Sequence, residues 1–318
     1  MDAFRQAIEH PNKRSWIQRI SARSRFQKGS AVLAAGDAID FLPSFFVVGP
    51  PRTGISWLYE VLRGRAVLPL ATKETRFFDI HFHRGLDWYL AHFPRARAAY
   101  PVGEIAPTYF ASVEARARIA RLIPSARVVC VFRDPVERIL SLYRVKRAYG
   151  LIPGNFEEAI EEDPEFMDTS RYSENYRAWQ NALGPDQVLA TLYDDLCDNP
   201  QSYLDQLVDF IGVPRFTLTP AQNNCVHASE SLTHPRSYAR TRNATRLADW
   251  LKAQRFDKLV AVIRDSPLRR FLLSGGPPFT ELPADLAVRL YERFRPEVEK
   301  LERILQRDLV AWKSVGAE

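Results

Sequence analysis

The chain has 318 residues, 46% hydrophobic and 26% charged, with 14 Gly and 22 Pro. These globular values exclude disorder, collagen-like repeats and coiled coil as the main architecture, and at about 150 residues per domain the length leaves one or two domains open. Lys plus Arg at 44 against Asp plus Glu at 38 gives a formal charge of +6, which favours an anionic partner or reflects simply a basic surface.

The first forty residues read as an amphipathic basic helix and a loop ending near Pro43, a basic arm (1–43) ahead of a single domain (44–318). Ser44 to Gly49 is a short apolar run ending in Gly-Pro-Pro, the pattern of a buried parallel strand entering a tight turn, and Ile55 to Arg63 reads as a helix. A helix near Gly85 to His92, a strand around Val102 to Ile105 and a helix near Val113 to Ile123 follow. Arg127 to Phe132 is a second β-branched strand, meeting Arg133-Asp134-Pro135 and a helix through about Ala148. Gln187 to Tyr193 reads as a further strand, and Ser202 to Ile211, Leu247 to Ile263 and Pro283 to Ile304 have helical spacing. Phe216 to Thr245 is polar and aperiodic, a candidate lid. Strands alternating with helices imply an α/β fold: a P-loop-containing parallel sheet flanked by helices, with a helical C-terminal part.

Cys130, Cys197 and Cys225 are odd in number and widely spaced, which suggests neither a disulfide framework nor a zinc cluster and favours a reducing compartment. No apolar run approaches the roughly 18 to 20 residues needed to span a bilayer, and the N-terminus lacks the apolar core of a secretory signal. The expected location is the cytoplasm.

Two stretches carry the chemistry. Gly49-Pro50-Pro51-Arg52-Thr53-Gly54-Ile55-Ser56 has the spacing and terminal Ser of a P-loop between strand and helix, but Ile55 stands where the Lys belongs. Backbone N–H groups can still cradle a phosphate there, with Arg52 supplying charge from inside the loop; the alternative is an ordinary strand-to-helix turn. Arg133 at a strand end and Ser141 two turns into the next helix can face one bound anion, or else Arg133 pairs with Asp134 or Glu137 and Ser141 is helix surface.

The segments PRTGISWL, RDPVERILSLY and KETRFFD resemble those of the sulfotransferases that use 3′-phosphoadenosine 5′-phosphosulfate, over roughly Phe45 to Leu196. The resemblance implies that Arg52 touches the bridging oxygen and sulfonate, that Thr53, Gly54, Ile55 and Ser56 form the loop at the 5′-phosphate, and that Trp57 stacks on adenine. Arg133 and Ser141 would hold the 3′-phosphate, Tyr193 would approach the adenine, and Arg236 or Arg240 would clamp the nucleotide. Arg52 stands where many members have Lys, which keeps the charge and changes its geometry.

Lys73-Glu74-Thr75-Arg76-Phe77-Phe78-Asp79, followed by His83-Arg84-Gly85-Leu86-Asp87-Trp88-Tyr89, is similar to the glycosaminoglycan branch of the family, which makes Glu74 the base. A salt bridge from Glu74 to Lys73 or Arg76 is the bland alternative, and Asp79, His81, His83 and His92 are rival bases. In Gly103-Glu104-Ile105-Ala106-Pro107-Thr108-Tyr109, Ile105 replaces a Lys of that branch, so a highly sulfated polymer is disfavoured as acceptor. Phe77, Phe78, Trp88, Tyr89 and Tyr109 either line an acceptor site or fill the core.

The resulting expectation is in-line sulfuryl transfer from 3′-phosphoadenosine 5′-phosphosulfate to a hydroxyl or amine of a carbohydrate or small molecule. Adenosine 3′,5′-bisphosphate leaves, and neither metal nor nucleic acid takes part. The rivals are a P-loop kinase or NTPase, and a non-enzymatic nucleotide- or polyanion-binding module.

Overall fold

A computed structural model describes residues 42–70, 72–94, 100–152, 154–223, 232–253, 275–280 and 282–314. Apart from Leu42 and Pro43, the expected N-terminal arm lies outside the described residues, as does the helix expected over Leu247 to Ile263 beyond Ala253.

Four parallel strands form the sheet: β1 (Phe45–Val48), β2 (Gly103–Ile105), β3 (Arg127–Phe132) and β4 (Val188–Leu192), in the order β2-β1-β3-β4. Phe45 lies beside Gly103 on one flank and Arg127 on the other, while Val128 pairs with Val188. The strands are apolar on both sides because both faces are covered. Phe46, Val48, Val128, Cys130 and Phe132 enter one apolar cluster, and Phe45, Val47, Val129 and Val131 enter the other.

Helix α1 (Ile55–Leu62) covers the second face with Ile55, Leu58, Val61 and Leu62, together with α8 (Tyr193–Asp198) and α9 (Pro200–Ile211). The first face takes α3 (Val113–Leu122), α7 (Tyr172–Leu183) and part of α11 (Ala284–Leu305). A short α2 (Leu86–Leu90) precedes β2, and α4 (Pro135–Ala148) leaves β3 and packs with α5 (Phe156–Glu162), α6 (Glu165–Asp168) and the first half of α11. The connection from β1 runs out to β2 and that from β3 runs the opposite way to β4, so the crevice at the carboxyl ends of β1 and β3 is the topological switch point, where such sheets bind ligands.

The strand and helix expectations from Ser44 to Ala148 hold, but α5, α6 and α7 were not legible from the apolar pattern. In α7 the buried aromatic positions are Tyr172, Tyr176 and Trp179, whose polar tips weaken a hydrophobicity signal although their spacing is helical. The aperiodic segment Phe216 to Thr245 is not one loop. It contains β5 (Thr233–Pro235), which pairs antiparallel with β6 (Gly275–Pro278), and the start of α10 (Tyr238–Ala253), whose basic face hides the period. Cys130 is free and buried, whereas Cys197 is disulfide-bonded. Among the described residues, no helix is long and apolar enough to cross a membrane.

Candidate functional site

The loop after β1 is shaped by two glycines and one strained residue. A Cβ on Gly49 would meet the Val131 carbonyl oxygen at 2.8 Å, and one on Gly54 would lie 2.9 Å from both Tyr193 and Leu196. Arg52 has a φ of 80°, a left-handed conformation that an L-residue adopts only where the surroundings impose it. Thr53 is fully buried and its hydroxyl donates to the Pro50 carbonyl at 3.0 Å, so it braces the turn. Ile55 points into the apolar cluster beneath the loop. Gly54 caps α1 with no side-chain acceptor, and no acidic residue lies in the first turn, which leaves the helix's first N–H groups to an anion.

The sequence's two stretches meet here. Arg52 Nε donates to Ser141 Oγ at 3.0 Å, and Arg133 Nη1 points at the Arg52 carbonyl at 3.4 Å. The Arg133 guanidinium stacks over the Tyr193 ring, 4.8 Å from its centroid, and bridges to Glu137 at 3.3 Å. Burial, and then the charge of Arg133, pulls the Arg52 pKa below its ordinary value. Two guanidiniums crowded in this way favour an anion between them. The Glu137 bridge is the bland alternative foreseen for Arg133, and it coexists with the site because the Tyr193 stack and the Arg52 contact occupy the same side chain.

From the opposite rim, Lys73 Nζ donates to Ser56 Oγ at 3.1 Å. Burial lowers the Lys73 pKa, with the Glu74 carboxylate opposing and Arg52 assisting that shift. Lys73 was foreseen only as a neighbour of Glu74, and its reach to Ser56 across 17 residues of sequence had no local signal. Glu74 itself is half-buried, and its carbonyl accepts from Thr72 Oγ1 at 2.9 Å.

Glu104, which the sequence reading passed over, anchors this rim. It is fully buried on β2 and accepts from the Thr75 amide (2.8 Å), Thr75 Oγ1 (2.6 Å), Tyr89 OH (2.8 Å) and Tyr109 OH (3.3 Å). A carboxylate inside a short buried strand was the available signal, since such a group needs partners. Burial pushes its pKa up to about 7. The folded protein therefore holds this proton more tightly than the unfolded chain does. Its contribution to stability is complete below about pH 4.5 and is lost as the pH rises to about 7. Glu104→Gln removes that dependence, so the substitution should cost on the order of 3 kcal/mol more at pH 4.5 than at pH 7.5. Urea unfolding of both proteins at the two pH values checks this, and an equal cost at both would contradict it.

The other expected residues are placed as follows. Trp57 is half-buried, with Nε1 donating to the Gln222 carbonyl at 2.8 Å and its ring edge-on to Tyr203. Arg236 and Arg240 are exposed, the first in the turn between β5 and α10 and the second within α10. Asp79 is paired with Arg76 at 2.9 Å. His92 is buried, with Nδ1 at 2.9 Å from the Trp88 carbonyl, and His83 is exposed. Phe77, Phe78, Tyr89 and Tyr109 belong to the core, and Trp88 packs half-buried against it. Ile105 is fully buried, so its position presents no charge to an acceptor.

Comparison with known proteins follows this geometry. The sulfotransferase domain family profile matches residues 42–254. The chain is 29% identical over 206 residues to bifunctional heparan sulfate N-deacetylase/N-sulfotransferase 3 of Homo sapiens, a match covering 57% of this chain and 24% of the relative. It is 28% identical over 204 residues to heparan sulfate glucosamine 3-O-sulfotransferase 3A1 of Mus musculus, covering 61% and 52% respectively. The match thus spans about a quarter of the first relative and about half of the second. The crystal structure of a sulfotransferase from Alicyclobacillus acidocaldarius superposes with a TM-score of 0.61 at 20% identity, over 86% of this chain and 99% of that one, which shows a shared fold.

Proposed function

Because the chain belongs to the sulfotransferase family, we propose that it transfers a sulfuryl group from 3′-phosphoadenosine 5′-phosphosulfate to a hydroxyl or amine of a carbohydrate or small molecule. The observation that carries this reading is the junction of Arg52, Ser141, Arg133 and Tyr193 at the carboxyl ends of β1 and β3. Its donor set is cationic and hydroxylic, which suits two anionic groups better than a divalent metal. The bound donor supplies an activated sulfuryl group and a bisphosphate leaving group.

The chain's own residues then do three things. The N–H groups at the start of α1, with Arg52 and Lys73, hold the 5′ end and stabilise charge on the departing phosphate side. Arg133 and Ser141 fix the 3′-phosphate, with Tyr193 beneath the guanidinium. Glu74 takes the acceptor proton from a segment that Thr75 ties to buried Glu104. Trp57 offers its free face to the adenine, and Arg236 closes over the nucleotide from the β5 side. The buried Ile105 favours an acceptor of low charge over a highly sulfated polymer. A cytoplasmic location belongs to the same proposal.

The test is release of adenosine 3′,5′-bisphosphate from the donor with a panel of sugar hydroxyls, amino sugars and phenols. Acceptor-dependent release supports the proposal, and its absence with every class overturns it. The kinase reading gains nothing from the structure, because Ile55 faces the core where a triphosphate Lys would be needed.

A further inference from the structure

Helix α11 and the turn after it lie beyond the residues that the family profile matches, yet their polar side chains end on the two segments that carry Arg133 and Tyr193. We propose that residues 291–312 form a positioning strap that holds the Arg133–Tyr193 stack in place beside the anion-binding crevice, with Trp312 as its principal positioning residue. The inference rests on the reading of Arg133 and Tyr193 as part of the donor site.

Trp312 is 2% exposed and packs with Val298, Leu301 and Leu309 in the apolar cluster on one sheet face. Its indole Nε1 donates to Asp194 Oδ2 at 2.6 Å. Arg307, just past the end of α11, makes a two-point contact with Asp195, one arm of which is 2.5 Å long. These two aspartates directly follow Tyr193, whose ring leaves no room for a Cβ on Gly54 of the loop and lies beneath Arg133. On the other side of the crevice Tyr291 OH donates to Asp134 Oδ2 at 3.0 Å. Asp134 directly follows Arg133 and caps α4 through the Val136 and Glu137 amides at 2.7 and 3.2 Å. One helix and its trailing turn therefore grip both partners of the Arg133–Tyr193 stack.

The strap is itself held. Glu297 accepts from the Ser173 amide at 2.5 Å, which fixes α11 to α7, and Glu302 closes the turn by accepting from the Leu309 amide at 2.8 Å and from Lys313 at 2.6 Å. The segments that follow β3 and β4 are thus held by side chains more than 100 residues away in sequence. The indole N–H also has an electrostatic role. Asp194 is largely buried within the field of Arg133, and burial raises its pKa while the Trp312 bond and Arg133 lower it. Without that N–H the carboxylate loses its hydrogen-bond donor, and its negative charge opposes an anion bound beside Arg133.

Trp312→Phe keeps an aromatic ring in the core and deletes the donor. The dissociation constant for adenosine 3′,5′-bisphosphate should rise about tenfold and the donor KM with it, while kcat and the acceptor KM stay within about twofold. Adding Asp194→Asn to Trp312→Phe, where the link is already broken, should cause no further loss. Val298→Ala touches the same cluster without a polar link, and should lower Tm while leaving the dissociation constant unchanged. Equal affinity in Trp312→Phe and wild type, a further loss on adding Asp194→Asn, or a loss matched by Val298→Ala would each overturn the strap. Inorganic pyrophosphate, titrated in parallel, separates the two readings. Wild type binding pyrophosphate but no bisphosphate would sink the nucleotide site and leave the strap judged by the Trp312→Phe effect on pyrophosphate. Binding of neither would overturn both.

Discussion

Replacing Arg133 by Ala is expected to weaken binding of adenosine 3′,5′-bisphosphate by about 100-fold, or about 2.7 kcal/mol. The side chain supplies one of the two guanidiniums at the crevice, stacks on Tyr193 and points at the Arg52 carbonyl, so its loss removes a charge and loosens both neighbours. Arg133→Lys restores the charge without the planar fork or the stacking face, and should recover only part of the affinity. Calorimetric titration of the three proteins checks this. Affinity unchanged in Arg133→Ala would confine Arg133 to its bridge with Glu137.

The second large effect is on the chemical step. Glu74→Gln preserves size and hydrogen-bonding capacity but cannot take a proton, and kcat should fall about 1,000-fold with bisphosphate affinity within twofold of wild type. The segment's anchoring explains why the effect is expected to be confined to kcat. Thr75 is fixed to buried Glu104 by two bonds, and Lys73 is fixed to Ser56, so a neutral side chain at 74 leaves the rim in place. Initial rates with a responsive acceptor decide it. A kcat within tenfold of wild type would transfer the base role to another group, and His81 would be examined first, since Asp79 is held by Arg76 and His92 by backbone carbonyls.

Much of the candidate donor site was legible because its information is local. The Gly49 to Ser56 loop needs glycine where the backbone meets Val131 and Tyr193, and Arg133 and Ser141 lie on consecutive elements with recognisable strand and N-cap signals. Even so, the contact between Arg52 and Ser141 spans 89 residues and became visible only with the order β2-β1-β3-β4. The parts that were missed depend on long-range burial. Glu104 reads as a solvated charge until Thr75, Tyr89 and Tyr109 close around it, and Trp312 reads as one more C-terminal aromatic until its indole meets Asp194. The aromatics of KETRFFD and the following helix were ambiguous for the opposite reason. Their spacing suits a sugar platform or a core, and Phe77, Phe78 and Tyr89 are in the core. The first part of helix α10, before Leu247, was hidden because its residues are mainly basic and polar, which left no apolar stripe to count.

The most direct test of the donor assignment is calorimetric titration of the wild-type protein with adenosine 3′,5′-bisphosphate in EDTA, set beside ATP with Mg²⁺. Tight, metal-independent binding of the bisphosphate, with Mg²⁺-ATP weaker by at least about tenfold, is the expected result. Preference for Mg²⁺-ATP, or no binding of either nucleotide, would contradict it and return the loop after β1 to a kinase site or a structural turn.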